Sequence, residues 1–423
     1  METKFYENIS ETVCRHTLPN GLPVIVIPRK GFTKKLAYFV TDFGSIHTEF
    51  TINGEYCVLP EGIAHYLEHK LFDMPDGEVS EKFAALGASV NAFTGYDMTA
   101  YYFSCTDHFE ANLRLLLEFV STPYFTEASV EKERGIIGQE IGMYRDNPDA
   151  QSFEMLMDAM YDRHPVRQPV LGTKETIARI TPELLAKAHR AFYRPDNMLL
   201  CVVGDVDIET ICRLAEEILP GRSTDTVTAC RQWQEEMTCP KRFVSQSMEV
   251  AMPMFQLGFK GEPLGHGPEA VRREYIGDLA AEALFGESSP LYISMYEKGL
   301  IDSSFGGGLE TVEGMTVLSA SGDSDYPEQV QEAILTQAAE ICKNGLDETD
   351  FLRMKRSAMG RRIKDLDSFD STCFRACAYH FSGYDYFRFP ELYQQITTNH
   401  VLEFLQRVVT PERCALAVIQ PKE

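Results

Sequence analysis

The stretch that decides the reading is Gly62-Ile63-Ala64-His65-Tyr66-Leu67-Glu68-His69-Lys70-Leu71-Phe72. It follows Pro60, has no internal breaker and spaces its apolar residues at helical intervals, which predicts a helix over about 61–72. At roughly 100° per residue, His69 lies about 40° around that helix from His65, and Glu68 about 60° to the other side. All three side chains therefore share one face. Two imidazoles one turn apart can address one divalent ion, and the carboxylate between them is set to accept a proton from solvent held there. The pattern H-x-x-E-H reverses the zinc motif H-E-x-x-H while keeping its triangle of side chains. Imidazole donors favour Zn2+, one per chain, over Mn2+ or Co2+. The alternative is a helix with two surface histidines and a chance glutamate. That helix is otherwise apolar (Ile63, Ala64, Leu67, Leu71, Phe72), so its polar face must be solvated in a cleft or satisfied by a ligand.

A catalytic zinc needs a third protein donor and an open position. The segment from Ser129 to Tyr144 reads as an amphipathic helix carrying Glu133 and Glu140 on one face, two turns apart. One can ligate while the other orients a histidine from outside; spacing does not decide which, and a solvated acidic face is the competing reading.

Working outward, short β-branched runs at Val24–Ile27 and Leu36–Phe43 read as a hairpin or meander, and Ser89–Thr94 with Thr99–Cys105 as a second hairpin about Gly95-Tyr96-Asp97. Helices are expected at about 109–119, 148–162, 181–192 and 207–218, and the apolar run Asn197–Asp205 reads as a buried strand. Residues 221–241 have the polar composition of a connector. The alternation then restarts, giving an α+β chain with two similar units, 1–220 and 242–423, each an antiparallel-rich sheet packed with helices. The length of 423 residues also exceeds what one core usually organises.

Composition narrows the function. The chain has 63 acidic against 40 basic residues, a formal charge of −23, which repels phosphate backbones and anionic lipid, so neither nucleic acid nor membrane is an expected partner. No apolar leader or membrane-length run is apparent, which predicts a cytoplasmic location. The 11 cysteines are scattered and lack any CxxC pair, so most are expected to be buried apolar residues. Cys373 and Cys377, at i and i+4, lack a second pair to make a metal site. His16, His47, His108, His189, His266, His380 and His400 have no partners at ligand spacing and read as structural. His164-Pro165 and Gly306-Gly307-Gly308 fit loops, and the glycines lack the lysine and hydroxyl of a phosphate loop.

These residues resemble the inverzincin metallopeptidases, the family of pitrilysin, insulysin and the mitochondrial processing peptidase, and in particular its short bacterial subunits. The likeness extends to Leu18-Pro-Asn-Gly-Leu22, Phe43-Gly44-Ser45, Asn91-Ala-Phe-Thr94, His164-Pro165, Gly172-Thr173, Tyr193-Arg-Pro-Asp-Asn197 and Val203-Gly-Asp205, in family order. It implies zinc held by His65, His69 and Glu140, Glu68 as general base, and Glu133 orienting from outside. It also implies that the chain is one half of a clamshell closing around unfolded peptide. Asn91, Ala92 and Phe93 would lie on an edge strand that takes the peptide as an added strand. A homologous partner subunit, forming a heterodimer or a homodimer, is implied as well. One departure stands out. Where active members carry an Arg and, seven residues on, a Tyr, this chain has Met295 or Tyr296 and Asp302 or Ser303. Losing one oxyanion donor typically costs about 10²–10³ in rate, so a partner chain supplying both is expected. The competing readings are a non-catalytic core or scaffold subunit of the same fold, and a hydrolase of small molecules.

Overall fold

The structure is a computed structural model and describes residues 1–422. The first sheet has seven strands, ordered Glu2–Tyr6, Glu11–Thr17, Pro23–Pro28, Met198–Gly204, Lys35–Thr41, Thr99–Cys105 and Ser89–Thr94. The second has five, ordered Phe243–Met248, Cys414–Pro421, Met254–Lys260, Met315–Asp323 and Gly306–Val312, so the Gly306-Gly307-Gly308 run, expected as a loop, is an edge strand paired with Ser319–Ser321. Both follow one plan: the last strand of each half inserts into its sheet. Met198–Gly204 runs parallel to Pro23–Pro28 and antiparallel to Lys35–Thr41. Cys414–Pro421 runs parallel to Phe243–Met248 and antiparallel to Met254–Lys260. The remaining ladders of the two sheets are antiparallel.

That insertion corrects the first expected hairpin. Val24–Ile27 and Leu36–Phe43 are both strand, but Met198–Gly204 separates them. Its residues are all buried, and an apolar run that can bury both faces takes the middle of a sheet in preference to an edge. The second expected hairpin is present, with Thr99 opposite Thr94.

Alternate side chains of the first sheet enter different cores. Val24, Val26, Phe39, Phe103, Leu200 and Val202 pack with the helices of their own half. Ile25, Ile27, Tyr38, Val40, Cys201 and Val203 face Phe369, Cys373, Ala376 and Cys377 on helix Phe369–Phe381 of the other half. The exchange is reciprocal. Leu156, Met157 and Met160 on helix Pro148–Met160 pack against Val317, Ala415 and Ala417 of the second sheet. Cys373 and Cys377 are thus core residues, and all eleven cysteines are free thiols, with only Cys14, Cys230 and Cys342 incompletely buried.

The connector is more ordered than its composition predicts. Val227–Ala229 adds a strand to Glu49–Ile52. Arg231 pairs with Asp42 of the first half at 2.8 Å and Glu313 of the second at 2.5 Å. His47 Nε2 also approaches Glu313, at 3.6 Å. Trp233 lies on His164, ring centroids 4.3 Å apart, and Glu235 accepts the His164 backbone N–H at 2.6 Å.

Candidate metal centre

The H-x-x-E-H segment forms helix Ile63–Leu71, starting just after Gly62. Gly62 takes a left-handed φ of 84°, and a Cβ there would lie 2.4 Å from the Leu171 carbonyl oxygen. Gly172 fits in return against the Glu61 carbonyl. Two glycine turns thus interlock where the helix begins, and His65 falls in its first turn.

The second helix, Glu127–Arg145, opens with a Thr126/Ser129 capping box and presents Glu133 and Glu140 to the first. Tyr66 donates its hydroxyl to the Val130 carbonyl and locks the two helices in register.

Across this junction the side chains converge. His65 Nε2 lies 3.7 Å from Glu140 Oε1, and His69 Nε2 lies 3.5 Å from Glu140 Oε2. One donor atom from each of His65, His69 and Glu140 falls within 4.8 Å of the others, the only such group among the described residues. Donors about 2.0–2.1 Å from a tetrahedral ion stand about 3.3 Å apart, and both histidine–Glu140 separations, 3.7 and 3.5 Å, lie close to that. Glu133 Oε1 sits 2.9 Å from His69 Nδ1, where it can accept the ring N–H and leave Nε2 facing Glu140.

Electrostatics agree with this arrangement. Burial, helped by the neighbouring His69, pushes His65 down to about 3, so its ring stays neutral with a lone pair to offer. Burial also disfavours a charged His69, but the hydrogen bond to Glu133 and the charges of Glu68, Glu133 and Glu140 outweigh it and raise the pKa. Desolvation raises the Glu68 carboxyl against the lowering effect of its bond to Thr94 and of His69. Carboxylates and imidazoles gathered in this way are the donor types that a zinc ion takes.

His65 and Glu68 are only 7% and 8% exposed, so this polar face lies in a cleft and not on an open surface. Glu68 Oε2 accepts a hydrogen bond from Thr94 Oγ1 at 2.7 Å. Thr94 ends the strand Ser89–Thr94, an edge of the seven-stranded sheet. Asn91 is exposed on that edge. The Phe93 ring turns away to pack on Tyr102 and Phe374, leaving its backbone to the edge. In the second half, Met295 is buried in the core, Tyr296 stacks on Tyr292 at the surface, and Asp302 accepts from Ser304.

Sequence reasoning missed the role of Thr94: its bond spans 26 residues, and no local spacing announces it. The expected hairpin was the available signal, because it places the end of that strand beside the helix.

This fold and this pair of helices define a metallopeptidase-type architecture, and comparison places the chain within it. The profile described as "Insulinase (Peptidase family M16)" matches residues 60–174, and "Peptidase M16 inactive domain" matches residues 179–358. The chain is 39% identical to the "Uncharacterized zinc protease YmfH" of Bacillus subtilis (strain 168), covering 99% of this chain and 98% of that one. It therefore belongs to peptidase family M16. It is 28% identical to "Uncharacterized zinc protease YmxG" of the same organism, over 84% of this chain and 85% of the relative. Among solved structures, a putative M16-like peptidase from Alicyclobacillus acidocaldarius superposes with a TM-score of 0.92 at 30% identity, covering 97% of this chain and 99% of that one. A protease from Helicobacter pylori shares the fold, with a TM-score of 0.83 at 19% identity and coverage of 97% and 99%. No helix among the described residues is long and apolar enough to cross a membrane.

Proposed function

We propose that the chain is the zinc-binding subunit of an endopeptidase that hydrolyses unfolded peptides in an enclosed chamber. The observation that carries this reading is the convergence of His65, His69 and Glu140 within ligand reach, beside a buried glutamate whose carboxylate is held by Thr94. His65, His69 and Glu140 hold the ion, and Glu133 keeps His69 turned toward it. When bound, zinc supplies a Lewis acid that acidifies solvent at its open position. Glu68 takes the proton from the attacking solvent on the carboxylate oxygen that Thr94 leaves free, and returns it to the leaving amine. The exposed edge at Asn91, Ala92 and Phe93 takes the substrate backbone as an added strand, with the Asn91 side chain touching it. The organisation is two related units, 1–220 and 242–423, joined by 221–241, and a homologous partner supplies the Arg and Tyr that Met295/Tyr296 and Asp302/Ser303 replace.

A non-catalytic scaffold role is the second reading, favoured by that replacement alone. Metal analysis of the purified chain, with cleavage of a quenched-fluorescent peptide library, separates the two. One zinc per chain is expected, with turnover that rises when the homologous partner is added. Glu68→Gln should keep its zinc and lose about 10²–10⁴ of the rate. Failure to bind zinc, or equal turnover by Glu68→Gln, overturns the peptidase reading.

A further inference from the structure

The edge strand and the buried glutamate are joined by one atom pair, Thr94 Oγ1 to Glu68 Oε2 at 2.7 Å. No other side-chain hydrogen bond to Glu68 is present among the described residues, so its carboxylate depends on Thr94 for orientation. The direction of the bond is fixed by what lies behind it. Thr99, opposite Thr94 in the hairpin, is fully buried and gives its hydroxyl proton to the Phe43 carbonyl at 2.8 Å. Thr94 Oγ1 and Thr99 Oγ1 stand 3.5 Å apart, too far for a strong bond, so the Thr94 proton is free for the carboxylate. The buried Tyr101 and Tyr193 hydroxyls pair with each other, 2.8 Å apart.

Nothing in the packing demands a hydroxyl at Thr94. Its side chain is only partly buried, and valine has the same shape and a similar strand preference. What the hydroxyl does is occupy one carboxylate oxygen and leave the other to accept a proton. Its backbone meanwhile belongs to the strand that carries Asn91, Ala92 and Phe93.

We propose that Thr94 is a positioning residue that sets the Glu68 carboxylate for proton abstraction and ties that setting to the strand on which a peptide docks. The proposal rests on the peptidase reading above for its consequence in turnover, but its structural content stands apart from it. A peptide paired along Ser89–Thr94 would therefore lie on the same strand whose end holds the base.

The test compares zinc-loaded wild type, Thr94→Val, Thr94→Ser and Glu68→Gln, with or without the partner that gives turnover. Thr94→Val is expected to bind zinc as tightly as wild type in chelator competition and to keep its KM within twofold, while kcat falls about 10- to 100-fold. Thr94→Ser, which restores the donor, should recover kcat to within about threefold. Crystal structures of zinc-loaded wild type and Thr94→Val supply the readout independent of activity: the Glu68 carboxylate should leave its position in the valine variant. An unchanged carboxylate, or wild-type kcat in Thr94→Val with zinc in place, overturns the proposal. Equal turnover by Glu68→Gln and wild type would instead remove the peptidase reading, and the carboxylate position would still decide the role of Thr94.

Discussion

Glu133 and Glu140 lie on one face of one helix, and their spacing alone assigns them no separate tasks. The structure separates them through the atoms they meet. Glu140 faces the Nε2 atoms of both histidines, whereas Glu133 meets only Nδ1 of His69. Removing the outer carboxylate should therefore weaken the metal site without abolishing it. Glu133→Gln is expected to lower zinc affinity about 10- to 100-fold, measured by chelator competition, with the fold retained by circular dichroism. At this scale most of the site was legible, because His65, Glu68 and His69 sit within one turn of a helix and helical geometry is regular. Thr94 was not, since a hydrogen bond between a strand end and a distant helix follows only from how the elements pack. Nor was the meeting of Arg231 with Asp42 and Glu313, which joins three segments far apart in the chain.

The helices expected in the first half lie within a few residues of their observed bounds because apolar periodicity is local, whereas the short helix Val79–Ala85 was not expected. The helix expected over 61–72 is Ile63–Leu71, shortened at its start because Gly62 adopts a left-handed conformation that a helical residue cannot share. Strand order was harder. Met198–Gly204 was recognisable as a buried strand, but its place between Pro23–Pro28 and Lys35–Thr41 depends on pairing across most of the first half. The Gly62 turn makes a sharp test at the scale of an element. Gly62→Ala puts a methyl group 2.4 Å from a backbone oxygen at an unfavourable φ, so the start of the helix must shift. The variant should lose about 1–3 kcal/mol of stability. Because His65 lies in the first turn, zinc occupancy should fall with it. Denaturation midpoint and metal content, measured on one preparation, check both.

Across the whole molecule, the two halves meet through apolar packing and a charged cluster centred on Glu313. Burial alone would raise the Glu313 carboxyl, but His47 and Arg231 outweigh it and hold it at about 2. A carboxyl lowered in the folded state contributes its stability in full above the unfolded value of about 4.3 and loses it as pH falls toward the folded one. Glu313→Gln should therefore be less stable than wild type near neutral pH. The difference in urea midpoint should shrink as pH drops from about 4.5 to 2.5. A difference constant across that range would show that the cluster does not join the halves electrostatically. The traded helices carry a larger consequence. Pro148–Met160 roofs the second sheet and Phe369–Phe381 roofs the first, so neither half can swing from the other without stripping its own cover. The two halves therefore hold together as one body, and on the peptidase reading an entrance for a polymer lies beside that body and not between its halves.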